Sequence, residues 1–192
     1  MLISFIGSPS SGKTTTAAML FANLKETGIV AEFLPEQARL YIAKQRVDQK
    51  LSAYQKLFLN DSDQLKIMEA QLAIDEIMVK SCGPDTIIIC DSSPLNSILY
   101  MSPLIKNSSK VKELVERSLS ITKYIFYVPP IVREWVNEKD FNRIHDEAES
   151  KTIDNQIPEL LSQYPDAKPK LTMALGNTNE RIRIVQNKVL SF

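Results

Sequence analysis

Gly7, Gly12, Lys13 and Thr14 satisfy every fixed position of G-x-x-x-x-G-K-[ST], and the residues on either side restrict what can hold that loop. Leu2-Ile3-Ser4-Phe5-Ile6 before it is a short apolar run of the kind that forms a buried strand. After it, Ala17, Ala18, Leu20, Phe21 and Leu24 recur at helical spacing, and Gly28 is placed as a C-terminal stop. A strand that turns through a glycine-rich loop into a helix is the context that gives this pattern meaning. The glycines let the backbone wrap closely, so that successive N–H groups point inward at a phosphate. The helix beginning there adds its positive end. The span Gly7, Ser8, Pro9, Ser10, Ser11, Gly12, Lys13, Thr14 and Thr15 is therefore read as an ATP-binding phosphate cradle. Lys13 supplies a mobile cation to the β- and γ-phosphates, and Thr14 offers a hydroxyl to Mg²⁺.

The rest of the chain repeats the alternation. Strands are expected over 29–34, 86–90, 124–128 and 170–174, and helices over 13–27, 36–46, 52–81, 94–101, 110–118, 153–164 and 177–189. In the helix expected over 52–81, Tyr54, Leu57, Phe58, Leu65, Met68, Leu72 and Ile77 mark one stripe. Such an order predicts an α/β fold with a mainly parallel sheet, helices on both faces and right-handed crossovers. The whole span 1–192 reads as one domain, without repeats or linkers, and 192 residues can bury a substantial core.

Composition narrows the function classes. Basic and acidic side chains balance at 23 each, which gives no global electrostatic case for nucleic acid or membrane. The two cysteines, Cys82 and Cys90, make neither a disulfide framework nor a zinc set, and the single histidine, His145, has no partner for a transition metal. The N-terminus has no signal-peptide pattern, and nothing approaches the roughly 18 consecutive apolar residues of a membrane helix. The expectation is a cytoplasmic protein, with a homodimer left open.

Ligands of open α/β sheets sit outside the carboxyl ends of the strands. After the second strand come Glu36 and Arg39, one helical turn apart. They can face the cleft, with Glu36 accepting the proton of an attacking hydroxyl or holding a sugar hydroxyl, or they can be a capping acid with an i,i+3 ion pair. After the third strand, Ile87-Ile88-Ile89-Cys90-Asp91 ends an apolar run in an acid, the Walker-B pattern. Asp91 can hold Mg²⁺ or act as base, or cap a helix. After the fourth strand, a charged stretch over 133–151 suits a lid whose cations swing over the triphosphate. Arg143 is the first candidate there, Arg133 the second and Lys151 the third. After the fifth strand, the loop at Gly176-Asn177 would lie beside the cradle if that strand flanks the first. Asn177 can then edge the adenine, or simply cap the last helix.

Taken in order, Gly7 to Thr14, Glu36-Gln37-Ala38-Arg39, Glu69-Ala70-Gln71, Cys90-Asp91-Ser92-Ser93, Asp140-Phe141-Asn142-Arg143 and Asn179-Glu180-Arg181 resemble a P-loop ATPase/kinase family over most of the chain. That family includes the ribosylnicotinamide kinase domain of the bacterial NAD-regulator protein NadR, with relatives in bacteria and phages. The resemblance implies a nucleoside-kinase-like, three-layer P-loop fold with a five-stranded parallel sheet ordered 2-3-1-4-5. It implies Glu36, Arg39, Gln71 and Asp91 on the acceptor side, Thr14 and Asp91 at the metal, and Arg143 in the lid. It also raises Glu36 above Asp91 as base. The function expected is an ATP- and Mg²⁺-dependent kinase for a nucleoside, nucleotide or similar small hydroxyl acceptor. Transfer to DNA is one alternative, disfavoured by the charge balance. A switch ATPase that binds a protein partner is the other.

Overall fold

The first strand, β1 (Leu2–Ile6), is buried at every residue and sits in the middle of the sheet. In the computed structural model, which describes residues 1–52, 55, 57–130 and 147–191, it pairs in parallel with β3 (Ile87–Cys90) on one side. On the other side it pairs with β4 (Thr122–Tyr127). The edges are β2 (Ala31–Leu34), parallel to β3, and β5 (Leu171–Met173), parallel to β4. The order is β2-β3-β1-β4-β5, all parallel, as the family resemblance implies.

Successive side chains of a strand point to opposite faces, so a sheet covered twice needs both parities apolar. Ile3 and Phe5 of β1, with Ile87, Ile89 and Phe126, meet one helical layer. Its helices are α1 (Lys13–Glu26), through Ala17, Leu20 and Leu24, and α7 (Thr178–Leu190), through Val185 and Val189. Ile6, Ile125 and Tyr127 face the other layer. There α3 (Asp61–Ser81), α5 (Ser109–Ile121), α6 (Glu147–Ser162) and a 3-10 helix over Pro94–Tyr100 bury Met68, Leu72, Val115, Ile157 and Leu95. Two further helices, α2 (Gln37–Asp48) and the short α4 (Pro103–Lys106), lie in the connections after β2 and after the 3-10 helix.

The start of α3 departs from the sequence expectation. The apolar stripe through Leu57 and Phe58 suggested a helix from Ser52, but helix begins at Asp61. Asn60 accepts from the backbone N–H of Asp63 (3.1 Å), and Asp63 accepts from that of Asn60 (2.9 Å). This reciprocal box fixes the helix start. Just upstream, the buried Arg46 of α2 donates to the carbonyls of Ser52 (2.9 Å) and Gln55 (2.8 Å), holding that backbone outside a helix. Tyr54 lies outside the described residues. Phe58, expected on the stripe, is 78% exposed, and so is Ile77 at 61%. No described helix is long and apolar enough to cross a membrane.

Candidate active site

The cradle is shaped by close approach. Gly12 adopts φ 97° at the start of α1, where no side chain caps the helix and its first N–H groups stay available to an anion. Ser10 also takes a left-handed φ of 65°. A Cβ on Gly7 would meet the Val128 carbonyl at 2.5 Å and Ser11 Oγ at 2.7 Å, so only glycine fits. The Lys13 ammonium donates to the carbonyls of Gly7 (2.8 Å) and Ser8 (2.9 Å), curling back across the loop. Burial lowers its pKa, while Glu36, Asp91 and Asp154 pull it back up. The hydroxyls of Ser8 and Ser11 are buried without a hydrogen-bond partner among the described residues.

Thr14, in the first turn of α1, donates to Asp91 Oδ2 at 2.9 Å. The other oxygen of Asp91 is buried and has no hydrogen-bond partner among the described residues. Burial, then the nearby Glu36 carboxylate, pushes Asp91 up to about 6, against the Thr14 hydroxyl, Lys13 and Arg39. Asp91 does not cap the 3-10 helix after it. Ser93 does, accepting from the Leu95 N–H.

A small, solvent-open cleft lies beside the cradle, with Gly7, Lys13, Glu36, Gln64, Gln71 and Tyr100 among its lining residues. Glu36 stands at the N-cap position of α2, yet its side chain makes no capping bond. It holds Arg39 at 3.3 Å instead, so the ion-pair half of the plainer expectation is present and the capping half is absent. Gln71 also faces the cleft, but both ends of its amide are engaged by protein.

Lys151 is exposed on α6. Arg133 and Arg143, like residues 133–146 of the expected lid, lie outside the described residues. Asn177 caps α7, accepting from the Glu180 N–H (3.1 Å) while Glu180 accepts from its own N–H (2.7 Å). The strand before it flanks β4 rather than β1. The loop is nonetheless tied to the cradle, because the buried Arg181 donates to the carbonyls of Gly176 (2.9 Å), Ser11 (2.6 Å) and Pro129.

Sequence reasoning missed four contributors. Arg181 was noted only as part of the resemblance. Asn96 accepts from the Gly7 N–H (3.2 Å) and donates to the Phe5 carbonyl (3.1 Å), binding the end of β1 to the loop after β3. Gln64, 6% exposed, lines the cleft two turns before Gln71 with no hydrogen bond from its amide to a described residue. Asp154 of α6 accepts from the Tyr127 hydroxyl (2.9 Å), close enough to act on Lys13. A polar residue on a helix stripe reads as solvated surface, and only the fold reveals these as inward.

Among the described residues no group of three or more His, Cys, Asp or Glu side chains is arranged to hold a metal. A metal here needs oxygens from its ligand as well as from protein, as phosphate-bound Mg²⁺ does.

The AAA_28 family model, described as an AAA domain, matches residues 2–181. No curated protein matches the chain by sequence. Among solved structures, NadR in complex with NAD and AMP-PNP is 18% identical with a TM-score of 0.62, over 98% of this chain and 48% of that one. NadR in complex with NR is 14% identical with a TM-score of 0.65, over 100% of this chain and 51% of that one. The chain thus spans about half the length of these two proteins. Deoxyadenosine kinase from M. mycoides, with dCMP and dCDP bound, is 15% identical with a TM-score of 0.58, over 100% of this chain and 99% of that one.

Proposed function

Since the chain belongs to the AAA_28 family of AAA domains and has the fold of the P-loop kinases, we propose that it is an ATP-dependent phosphotransferase. The acceptor is a hydroxyl of a nucleoside, nucleotide or similar small molecule. One observation carries this reading. Lys13 and Glu36 line one cleft, Glu36 holds Arg39, and Asp91, bonded to Thr14, is near enough to all three charges to interact with them. A phosphate cradle alone serves a switch as well as a kinase. An acid whose side chain neither caps its helix nor lies in the core, on a cleft beside the cradle, serves transfer.

In this reading the backbone of Gly7 to Thr15 and Lys13 hold the triphosphate, and Asn177 lies by the adenine. Glu36 or Asp91 takes the acceptor's proton, with Arg39 and Gln64 around the acceptor and Arg143 as lid cation. Thr14 and Asp91 fit Mg²⁺, because a hydroxyl and a carboxylate oxygen without a protein partner lie side by side where the metal of a bound Mg·ATP belongs. That ion would neutralise charge on the phosphates. Asp91 has to be ionised to serve it, and a cation at that point reverses the upward pull of burial and Glu36.

The test is a transfer screen with γ-labelled ATP and Mg²⁺. Acceptors are nucleosides (nicotinamide riboside among them), nucleoside monophosphates, and DNA with and without hydroxymethylated bases. Label on a small acceptor supports the proposal and names the substrate. Label on DNA alone, or free phosphate whatever is added, would refute it.

A further inference from the structure

Gln71 and Asp75 are 3% and 1% exposed and lie one turn apart on α3, on its face toward β3. The Gln71 amide spends every polar atom on protein. Its Oε1 accepts from the Gln37 N–H at 3.0 Å, and its Nε2 donates to Asp75 Oδ1 at 3.1 Å and to Cys90 Sγ at 3.2 Å. Cys90 passes the connection on, donating to the Ser92 carbonyl at 3.1 Å. Gln37 directly follows Glu36, and Cys90 directly precedes Asp91. A single amide on a third element therefore grips the backbone next to one candidate acid and the side chain next to the other.

Asp75 determines which way that amide points. A glutamine can present oxygen or nitrogen to either side, and the Gln37 N–H needs the oxygen. A carboxylate across from Nε2 accepts only, which holds the amide in that sense. The acid is expensive where it stands. It sits beside Ile74 and Met78 over the Leu34–Ile88–Cys90 surface, its Oδ2 has no hydrogen-bond partner among the described residues, and burial raises it to about 7. The other titratable groups acting on it are Cys90 and Glu76. A leucine would fill the same place without that cost.

We propose that Asp75 and Gln71 are a positioning pair that fixes the spacing between Glu36 and Asp91, Asp75 acting through Gln71 and through the Cys90 thiol that both of them contact. For its effect on transfer, though not for its geometry, this rests on the kinase reading above.

Gln37 is the first residue of α2, and its N–H has no acceptor within the helix. Protection of that amide from hydrogen exchange thus reports the Gln71 bond itself, without any acceptor substrate. In Asp75→Leu and in Gln71→Glu, which opposes two carboxylates, Gln37 should exchange about tenfold faster than in the native chain, the loss of one hydrogen bond. The double variant Gln71→Glu/Asp75→Asn swaps donor and acceptor and should restore protection to within about twofold. Phosphoryl transfer should follow the same order, kcat falling about tenfold or more in the two single variants with KM for ATP little changed, and recovering in the double. Melting temperatures identify any variant that has not folded, and Asp75→Leu, which removes a buried charge, keeps the test open if Gln71→Glu fails. Native exchange in Asp75→Leu would overturn the proposal. So would a double variant whose protection returns while kcat stays low, since Gln71 would then act by touching the acceptor. Absence of transfer by the native chain would count against the kinase reading, and the exchange comparison would still decide the positioning pair.

Discussion

Asp75→Asn should make the protein more stable, and only at neutral and alkaline pH. An ordinary aspartate titrates near 3.8, whereas burial holds Asp75 at about 7. The folded state therefore binds this proton more tightly than the unfolded state does. For an acid shifted upward, the ionised form is penalised: stability falls as pH rises from about 4 to about 7 and levels off above that. The gap is about three pH units, and at about 1.4 kcal/mol for each the penalty at pH 8 is about 4 kcal/mol. Asparagine cannot ionise and escapes it. Its oxygen still accepts from Gln71, and its N–H₂ falls where the neutral carboxyl would have its O–H, opposite the unpartnered Oδ2 position. The two forms thus carry a similar unsatisfied donor at low pH, and the difference cancels there. For a domain this size, about 4 kcal/mol is roughly 8–16 °C in Tm. Urea unfolding of both proteins from pH 4 to pH 8.5, plotted as a difference, isolates Asp75 from all other acids. The curve should be near zero at pH 4, climb through pH 5–7 and flatten near 4 kcal/mol. A flat difference, or a variant less stable at pH 8, would refute the reasoning.

Lys13→Ala removes only the bonds to the Gly7 and Ser8 carbonyls from the folded chain, so it should melt close to the native protein while kcat/KM falls on the order of 10³-fold; retained turnover would contradict the cradle mechanism. Glu36→Gln keeps the shape of the side chain and should cut transfer by roughly 10²–10⁴-fold with little change in ATP affinity by calorimetry, whereas unchanged transfer would move the base to Asp91. Arg181→Leu strips the carbonyls of Gly176, Ser11 and Pro129 of a charged donor and should cost about 3 kcal/mol in urea unfolding, together with weaker nucleotide binding.

The sheet was legible because its inner strands β1 and β3 are apolar or buried on both faces, and the phosphate loop because its chemistry is contiguous: Gly7 to Thr14 carry their own geometry. Glu36 and Asp91 were legible by the rule that ligands lie at strand ends. What escaped depends on approach between distant segments. Arg181 and Ser11 are 170 residues apart, and Asn96 and Gly7 are 89. Nothing local marks either pair. Gln71 was picked out by resemblance as an acceptor contact, and nothing in its spacing announces that its amide is filled by Gln37, Asp75 and Cys90. The start of α3 was misjudged for the opposite reason. Leu57 is buried outside any helix, so a true apolar signal was assigned to the wrong element, while the Asn60-x-x-Asp63 box three residues on went unread.

The Arg181 clamp has a consequence for the order in which the protein can become competent during its synthesis. The cradle leaves the ribosome together with β1, but the cation that ties Ser11 to its neighbours is translated 170 residues later. Every nascent chain short of that point carries a phosphate loop whose carbonyls have no such donor. The Ser11 carbonyl thus gains its donor only once α7 has docked against α1, and a truncated product lacking that helix would carry a phosphate loop without this clamp.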